Sequence, residues 1–205
     1  MVVVIDYNMG NIASVEKAFR SINAKVLVSN NKNDIEKAQY LVLPGVGAFG
    51  DGMKNLQRLD LVNILNKKVL QDKTPFLGIC LGMQLIADLS HEFGTYKGLG
   101  WVKGQVVKLK SNSMRLPHIG WNNINILDKS DPLFKGVTDD NFYFVHSYHL
   151  NCEDKSIVTA TCDYGKVFTA TIHQYNIFAT QFHPEKSQDS GLCLLQNFLD
   201  IKKYA

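Results

Sequence analysis

No stretch of this 205-residue chain is long and apolar enough to span a membrane. The apolar start at residues 1–5 stops at Asp6 and has no basic segment before it, which argues against a secretion signal. The four cysteines are widely spaced, with no CxxC pair of the metal-binding kind: Cys80, Cys152, Cys162 and Cys193. We therefore expect a cytoplasmic protein with reduced thiols, no metal site and no membrane partner.

Long blocks of like charge are also missing. The net charge is only +3, and the basic clusters are the pairs Lys67-Lys68 and Lys202-Lys203, which are typical of solvated helix faces. This balance disfavours a nucleic-acid partner. Repeats, low-complexity segments and linkers are absent, and the content of 45% hydrophobic and 20% charged residues is that of a globular protein. The sequence predicts a single domain over residues 1–205.

Apolar runs alternate with helical spacing through the first half of the chain. Strands are predicted at 2–5, 25–29, 40–43 and 76–79, and helices at 10–22, 34–37, 56–70 and 83–89. Asp60 is the predicted cap within the third helix. Alternation of this kind predicts a parallel sheet with helices on both faces.

After Gly98 the pattern changes to successive strands. They are predicted at 102–109, 123–127, 142–145, 157–161, 168–172 and 177–182, before a closing helix at 191–203. We expect this half to add antiparallel strands to the same sheet.

Cys80 stands between two glycines in Gly78-Ile79-Cys80-Leu81-Gly82, where a predicted strand turns into a helix. A nucleophile elbow has this form, and its glycines allow a sharp turn that exposes the sulfur at the end of a strand. The helix N-terminus would favour the thiolate, and the Leu81 N–H would be a donor to an oxyanion. The alternative is a buried cysteine in a tight turn.

His183 and Glu185 follow the last predicted strand as His183-Pro184-Glu185. Residues two apart on an extended chain project to the same side, so the carboxylate can orient the imidazole. Alone, the tripeptide would be an ordinary strand end. Together with Cys80, it predicts a Cys-His-Glu triad.

At these residues the chain resembles the class I glutamine amidotransferases, and in particular the glutaminase subunits of imidazole glycerol phosphate synthases. The matching segments run in family order over nearly the whole chain: DYNMGN at 6–11, LPGVGAF at 43–49, GICLGMQ at 78–84, PHIGWN at 117–122, FVHSY at 144–148 and FHPEKSQ at 182–188. The resemblance implies an α/β fold, a flavodoxin-like three-layer sandwich whose mostly parallel central sheet carries added antiparallel strands. Asn8 stands where the family usually has glycine, and His91 replaces an often acidic residue.

The resemblance implies hydrolysis of glutamine to glutamate and ammonia without a metal or an organic cofactor. Cys80 would attack, His183 would transfer protons and Glu185 would orient it. The loop 44–47 would supply a second oxyanion donor near Val46 after a peptide reorients. The residues implied to bind substrate are Gly47, Gln84, Glu92, Ser147 and Tyr148. The face implied to meet a (β/α)₈-barrel cyclase subunit carries Asn11, Trp121, Tyr143 and Lys186.

Other functions remain open on the sequence. A paralogous glutaminase subunit could feed a different synthase, such as one making an amidino sugar for surface polysaccharide. A catalytically idle regulatory subunit and a stand-alone cysteine hydrolase are further alternatives. The intact Cys80, His183 and Glu185 argue against the idle subunit, and the matching interface segments argue against the stand-alone hydrolase. The leading prediction, which the resemblance implies, is a subunit that supplies ammonia for histidine biosynthesis. The chain has no phosphate-binding glycine fingerprint of its own, so the acceptor chemistry is expected on another subunit.

Overall fold

The computed structural model describes residues 1–110 and 114–201. Within these ranges the strands are β1 Val2–Ile5, β2 Val26–Ser29, β3 Tyr40–Leu43, β4 Phe76–Ile79, β5 Ala87–Ser90, β6 Tyr96–Lys97, β7 Val102–Lys108, β8 His118–Ile126, β9 Asn141–His146, β10 Tyr148–Cys152, β11 Val158–Asp163, β12 Val167–Gln174 and β13 Ile177–Thr180. The α-helices are α1 Ile12–Ser21, α2 Lys32–Glu36, α3 Phe49–Arg58, α4 Val62–Asn66, α5 Leu81–Leu85 and α6 Gln188–Asp200. A π-turn at Lys67–Gln71 continues α4, and 3₁₀ turns lie at Pro132–Phe134, Lys155–Ile157 and Pro184–Lys186.

The main sheet has nine strands among the described residues, in the order β2-β1-β3-β4-β13-β12-β11-β8-β9. The first five are mutually parallel, and the remaining neighbours pair antiparallel. The parallel part has the flavodoxin-type order, in which a site forms beyond the carboxyl ends of the strands. The predicted fold class, with a parallel sheet extended by antiparallel strands, is confirmed.

Two apolar cores cover the opposite faces of this sheet. Side chains alternate along β1, so Val2 and Val4 pack with α1 and α6 while Val3 packs on the other face with α3 and α4. The buried Phe19 of α1 and Phe198 of α6 belong to the first core. This arrangement gives the three layers of the predicted sandwich.

Among the described residues, four strands lie outside the main sheet, although a single sheet was expected. They form a second sheet, in the order β10-β7-β5-β6, which packs through Val106 and Leu150 into the same core as α3. The prediction of one sheet was therefore wrong for 102–109. Strand β10 was missed, because its partner in β7 is some forty residues earlier in the chain and pairs only in the folded protein.

Two predicted helices also differ from the structure. The helix expected at 56–70 is split, because Asp60 has a φ of 52° that ends α3 at Arg58. Asp60 does not cap α4, whose N-cap position is occupied by Leu61 without a side-chain hydrogen bond. The helix expected at 83–89 stops at Leu85, and residues 87–90 form β5 because they pair with β7. Here tertiary pairing overrides helical periodicity.

The position of Lys68 differs from the expected solvated helix face. Lys68 is buried, and its Nζ donates to the Glu36 carbonyl at 2.9 Å, so this residue is not on a solvated face. The closing helix runs over Gln188–Asp200, and Ile201 already has an extended backbone, so the predicted helix was wrong at this residue. Residues 202 and 203, with the Lys202-Lys203 pair, lie outside the described residues. In the described part of the chain, no helix combines the length and apolar character that a membrane crossing requires.

Candidate active site

The elbow at Cys80 is held by close packing of two glycines. Cys80 has a φ of 53° and a ψ of −105°, a conformation that most residues avoid. A Cβ on Gly82 would overlap the Leu43 carbonyl oxygen, and one on Gly78 would approach the Gly82 carbonyl oxygen to 2.8 Å. The glycines therefore let α5 begin tightly against β3 and β4, which leaves the cysteine at the strand end.

Sheet order brings the two halves of the predicted triad together. Strands β4 and β13 are adjacent and parallel, with Ile79 paired to Thr180. The Cys80 N–H extends this ladder by donating to the Thr180 carbonyl at 2.7 Å. Because parallel strands end on the same side of a sheet, Cys80 and His183 are placed at one edge although they are a hundred residues apart.

His183 and Glu185 are adjacent, but not through an extended chain. Strand β13 ends at Thr180, and residues 184–186 form a 3₁₀ turn that brings Glu185 Oε1 to 2.7 Å from His183 Nδ1. Both side chains are almost fully buried. Burial opposes a charge on His183, but the Cys80 sulfur and the Glu185 carboxylate outweigh it and raise the pKa of the imidazole.

The Cys80 sulfur has two hydrogen-bond partners among the described residues. It lies 3.9 Å from the Val145 carbonyl and receives an N–H from Gln181 Nε2 at 3.6 Å. The sulfur is close enough to raise the pKa of His183, although the geometry falls short of a hydrogen bond, and His183 Nε2 has no hydrogen-bond partner among the described residues. Nε2 is thus available for proton transfer.

The proposed oxyanion donor at Leu81 is already engaged. Its backbone N–H donates to the Gly45 carbonyl at 3.3 Å. Gly45 is closely packed against Tyr7 and Leu81. A Cβ at Gly45 would overlap the Tyr7 hydroxyl and come within 2.9 Å of the Leu81 Cβ. In this arrangement the Gly45 carbonyl of the loop 44–47 occupies the Leu81 N–H that an oxyanion would need.

A pocket of about 150 Å³ opens beside the sulfur. It is lined by Cys80, by Val145 and His146, and by every residue implied to bind substrate or oxyanion: Val46, Gly47, Leu81, Gln84, Glu92, Ser147 and Tyr148. Glu92 also accepts the Phe49 N–H at 2.7 Å, at the start of α3. Burial raises the pKa of the Glu92 carboxyl, against the effect of that N–H. Through its hydrogen bond with the Phe49 N–H, the carboxylate holds the loop before α3 against the pocket wall.

A buried chain of polar groups behind the pocket was not foreseen in the sequence. The Tyr148 carbonyl accepts from Gln84 Nε2 and from His146 Nδ1, each at 2.9 Å. His146 Nε2 then lies 3.1 Å from His118 Nδ1, so His118 must donate. Burial lowers the pKa of His118 to about 4 and that of His146 to about 3, which keeps both rings neutral. The signal in the sequence was the alternation in β9 that places His146 on the same side as Phe142 and Phe144.

The residues implied to meet a partner lie on β8, on β9, on the 3₁₀ turn at Pro184–Lys186 and at the start of α1. Trp121 and Tyr143 pack edge to face with centroids 6.0 Å apart, and Lys186 Nζ lies 5.5 Å from the Tyr143 ring centroid. Trp121 is 46% exposed, so it is not a core aromatic. Asn11 is the N-cap of α1, where its side chain accepts the Ser14 N–H at 3.3 Å.

The two departures from the family pattern are accommodated. Asn8 adopts a φ of 61°, a left-handed conformation that asparagine tolerates better than most residues, so it can stand where glycine is usual. His91 lies on the surface, with its Nε2 2.9 Å from Gln105 Oε1.

Comparisons with known proteins agree with this geometry. The family model "Glutamine amidotransferase class-I" matches residues 3–201. The protein named imidazole glycerol phosphate synthase subunit HisH 1 from Campylobacter jejuni strain 81-176 is 48% identical over 200 residues, covering 97% of this chain and 98% of its own. The HisH subunit of Aquifex aeolicus is 48% identical over 198 residues, covering 96% and 94%.

A crystal structure described as that of a putative GMP synthase subunit from Thermoplasma acidophilum shares the fold, with a TM-score of 0.71 and 21% identity over 97% of this chain and 92% of its own. Another, described as a glutamine amidotransferase, has a TM-score of 0.73 and 17% identity over 98% of each chain. The chain belongs to the class I glutamine amidotransferase family.

Proposed function

We propose that this chain is the glutaminase subunit of an imidazole glycerol phosphate synthase, which hydrolyses glutamine and passes ammonia to a cyclase subunit in histidine biosynthesis. The observation that carries the proposal is the meeting of the Cys80 elbow with the buried His183–Glu185 pair at the ends of β4 and β13. The full-length similarity to proteins named subunit HisH supports the choice of synthase.

The first half-reaction forms a thioester. The Cys80 thiolate attacks the side-chain amide carbon of glutamine, and a tetrahedral oxyanion develops. His183, protonated at Nε2, gives that proton to the departing nitrogen, so ammonia leaves as the C–N bond breaks. Glu185 holds the proton on Nδ1 and stabilises the cationic ring through the 2.7 Å contact.

The second half-reaction releases glutamate. The now neutral His183 takes a proton from water at Nε2, and the hydroxide formed attacks the thioester carbonyl. The C–S bond breaks, and Cys80 returns as a thiolate beside the imidazolium. Neither half-reaction calls for a metal or an organic cofactor.

Substrate would enter the pocket beside the sulfur. We assign the α-ammonium of glutamine to Glu92, and the rest of its amino-acid part to the walls formed by Gln84, Ser147 and Tyr148, with the Gly47 backbone opposite. The Glu92 carboxylate is suited to this task, because the Phe49 N–H occupies Oε2 and the second oxygen, Oε1, can accept from the ammonium.

The loop 44–47 would act as a switch. Rotation of the Gly45–Val46 peptide would release the Leu81 N–H from the Gly45 carbonyl and turn the Val46 N–H toward the oxyanion. The Leu81 and Val46 N–H groups would then both be able to donate to the oxyanion. Val46 is 39% exposed, so a docked partner could reach it.

The partner would be a (β/α)₈-barrel cyclase. The exposed Trp121 and Lys186 and the half-buried Tyr143 supply aromatic and cationic side chains. Aromatic residues are enriched at interfaces. Asn11 lies at the exposed start of α1. We place the function in one cytoplasmic domain over residues 1–205, since both cores share the nine-stranded sheet and all four cysteines are free thiols.

The test is co-purification with a candidate cyclase, followed by assays of glutamate release and of imidazole glycerol phosphate formation. We expect glutamate release that depends on the cyclase and on its acceptor ligand. A complex that releases glutamate but forms no imidazole product would favour a different synthase. The absence of any glutamate release from the complex would contradict the glutaminase assignment.

A further inference from the structure

The side-chain amide of Gln181 donates a hydrogen bond to the Cys80 sulfur. Gln181 directly follows β13, its backbone N–H donates to the Ala170 carbonyl at 2.8 Å, and its side chain is fully buried. Its Nε2 lies 3.6 Å from Cys80 Sγ. A buried amide with this contact can act directly on the reacting atom.

Hydrogen-bond logic fixes which end of the amide faces the sulfur. The Tyr148 carbonyl can only accept, so the Gln84 atom 2.9 Å from it must be the nitrogen Nε2. This nitrogen also lies 3.1 Å from Gln181, so the Gln181 atom there must be the oxygen Oε1. The remaining atom, which points at the sulfur, is therefore a donor.

Because Gln181 donates in this contact, the contact favours the thiolate form of Cys80. A thiol can both donate to the Val145 carbonyl at 3.9 Å and accept from Gln181. A thiolate can only accept, so the Val145 carbonyl ceases to be a partner and the Gln181 N–H becomes a charge-assisted one. The helix after Cys80 is only five residues long, which leaves it a small macrodipole.

We propose that Gln181 is a further catalytic residue, which donates an N–H to the Cys80 thiolate and holds the sulfur in place for attack. The amide is oriented from behind by Gln84, the Tyr148 carbonyl and His146, so the wall of the pocket and the nucleophile are joined in one network. This inference rests on the proposed role of Cys80 as the nucleophile.

The test measures the thiolate without glutamine or partner. The rate of Cys80 alkylation by iodoacetamide is followed against pH in the full chain, with the Cys80 peptide separated from the Cys193 peptide by mass spectrometry. Gln181→Met removes the donor with little change of volume. We expect it to move the midpoint of the profile upward by about one pH unit, the effect of losing one hydrogen bond to a charged group.

Two further variants test the same contact in case Gln181→Met does not fold. Gln181→Glu keeps the shape but replaces the donor by a carboxylate, and we expect an upward shift at least as large. Gln84→Met removes the contact that orients the amide without touching the sulfur, and we expect a smaller shift in the same direction. Circular dichroism and thermal melting identify the folded variants.

The matched control is Asn176→Leu, at the opposite end of β13. Asn176 is also a buried amide, donating to the Val69 and Thr74 carbonyls at 2.9 Å each. We expect it to lower stability and leave the midpoint unchanged. An unchanged midpoint in the Gln181 variants, or an equal shift in Asn176→Leu, would overturn the inference. Retained glutamine hydrolysis in Cys80→Ala would contradict the proposed function instead, whatever the alkylation result.

Discussion

Leu81 donates its backbone N–H to the carbonyl of Gly45 at 3.3 Å. The residue after the nucleophile is therefore bonded to the loop expected to supply the second oxyanion donor. While this bond exists, the Leu81 N–H is not free to bind a developing negative charge. The bond connects the chemistry of the elbow to the conformation of an exposed loop, and it is the basis for the first prediction.

The isolated chain should release glutamate very slowly, and partner plus acceptor ligand should raise its turnover by orders of magnitude. Val46→Pro removes the N–H that would turn toward the oxyanion. It should therefore lower the rate of glutamate release with partner and ligand about 10²–10³-fold, with less effect on the rate of the isolated chain. Steady-state glutamate production is measured for the chain alone, with partner, and with partner plus ligand. Full activity in the isolated chain would show that no switch is needed.

Cys80→Ala should reduce glutamine hydrolysis to background, because no other nucleophile replaces the sulfur. The fold and partner binding should persist, and high concentrations of ammonium salts at high pH should still support the synthase reaction. Cys193→Ala is the matched control, since Cys193 contacts the Lys135 carbonyl away from the pocket, and it should keep full activity. Glutaminase activity in Cys80→Ala would refute the assignment of the nucleophile.

Glu185→Gln should lower the activated turnover less than His183→Ala does. The base remains in Glu185→Gln, but it loses the carboxylate 2.7 Å away that stabilises its cationic form. Glu16→Gln is the control, because Glu16 pairs with Arg20 on the surface and should have no effect. Equal rates for the wild type and Glu185→Gln would mean that Glu185 is a structural carboxylate only.

Gly82→Ala should destabilise the protein more than Gly136→Ala. The added methyl group would overlap the Leu43 carbonyl oxygen, whereas at Gly136 it would meet nothing within 4 Å and would face only the strain of a φ of 71°. We expect a loss of about 3 kcal/mol or more in Gly82→Ala against about 1 kcal/mol in Gly136→Ala. Urea denaturation measures both; similar losses would show that α5 can move away from β3.

Acid should destabilise the fold through the buried histidine pair. The pKa values of His118 and His146 are lowered to about 4 and about 3, so between these values and about 6.5 the unfolded chain binds more protons than the folded one. The free energy of unfolding should therefore fall as the pH drops from about 6.5 toward 4. His183, whose pKa is raised, acts in the opposite direction, because its contribution is present below about 6.5 and is lost at higher pH.

The variant His118→Phe isolates this effect. Phenylalanine can keep the stacking on Tyr164, whose ring centroid is 3.9 Å away, but it cannot titrate. We expect a shallower decline of the urea midpoint between about pH 6.5 and 4 than in the wild type. An unchanged slope would show that His118 is not a source of the acid sensitivity.

Local sequence determined much of this protein. The apolar run Val2–Ile5 and the strand Phe76–Ile79 were predicted with their observed bounds, because continuous apolar runs of that length suit strands buried on both faces. The residues around Cys80 indicated an elbow, since glycines at both sides of a cysteine are needed for its tight turn. The resemblance of the motifs was sufficient to predict the family.

Tertiary structure decided the rest, because it depends on pairing between distant segments. Residues 87–89 have helical spacing, yet they become part of β5 by pairing with β7. Glu185 reaches His183 through a 3₁₀ turn and not through an extended chain. The contact of Gln181 with Cys80, and the bond from Leu81 to Gly45, exist only because β3, β4 and β13 lie side by side. No local pattern encodes such contacts, since each depends on the order of strands in the completed sheet.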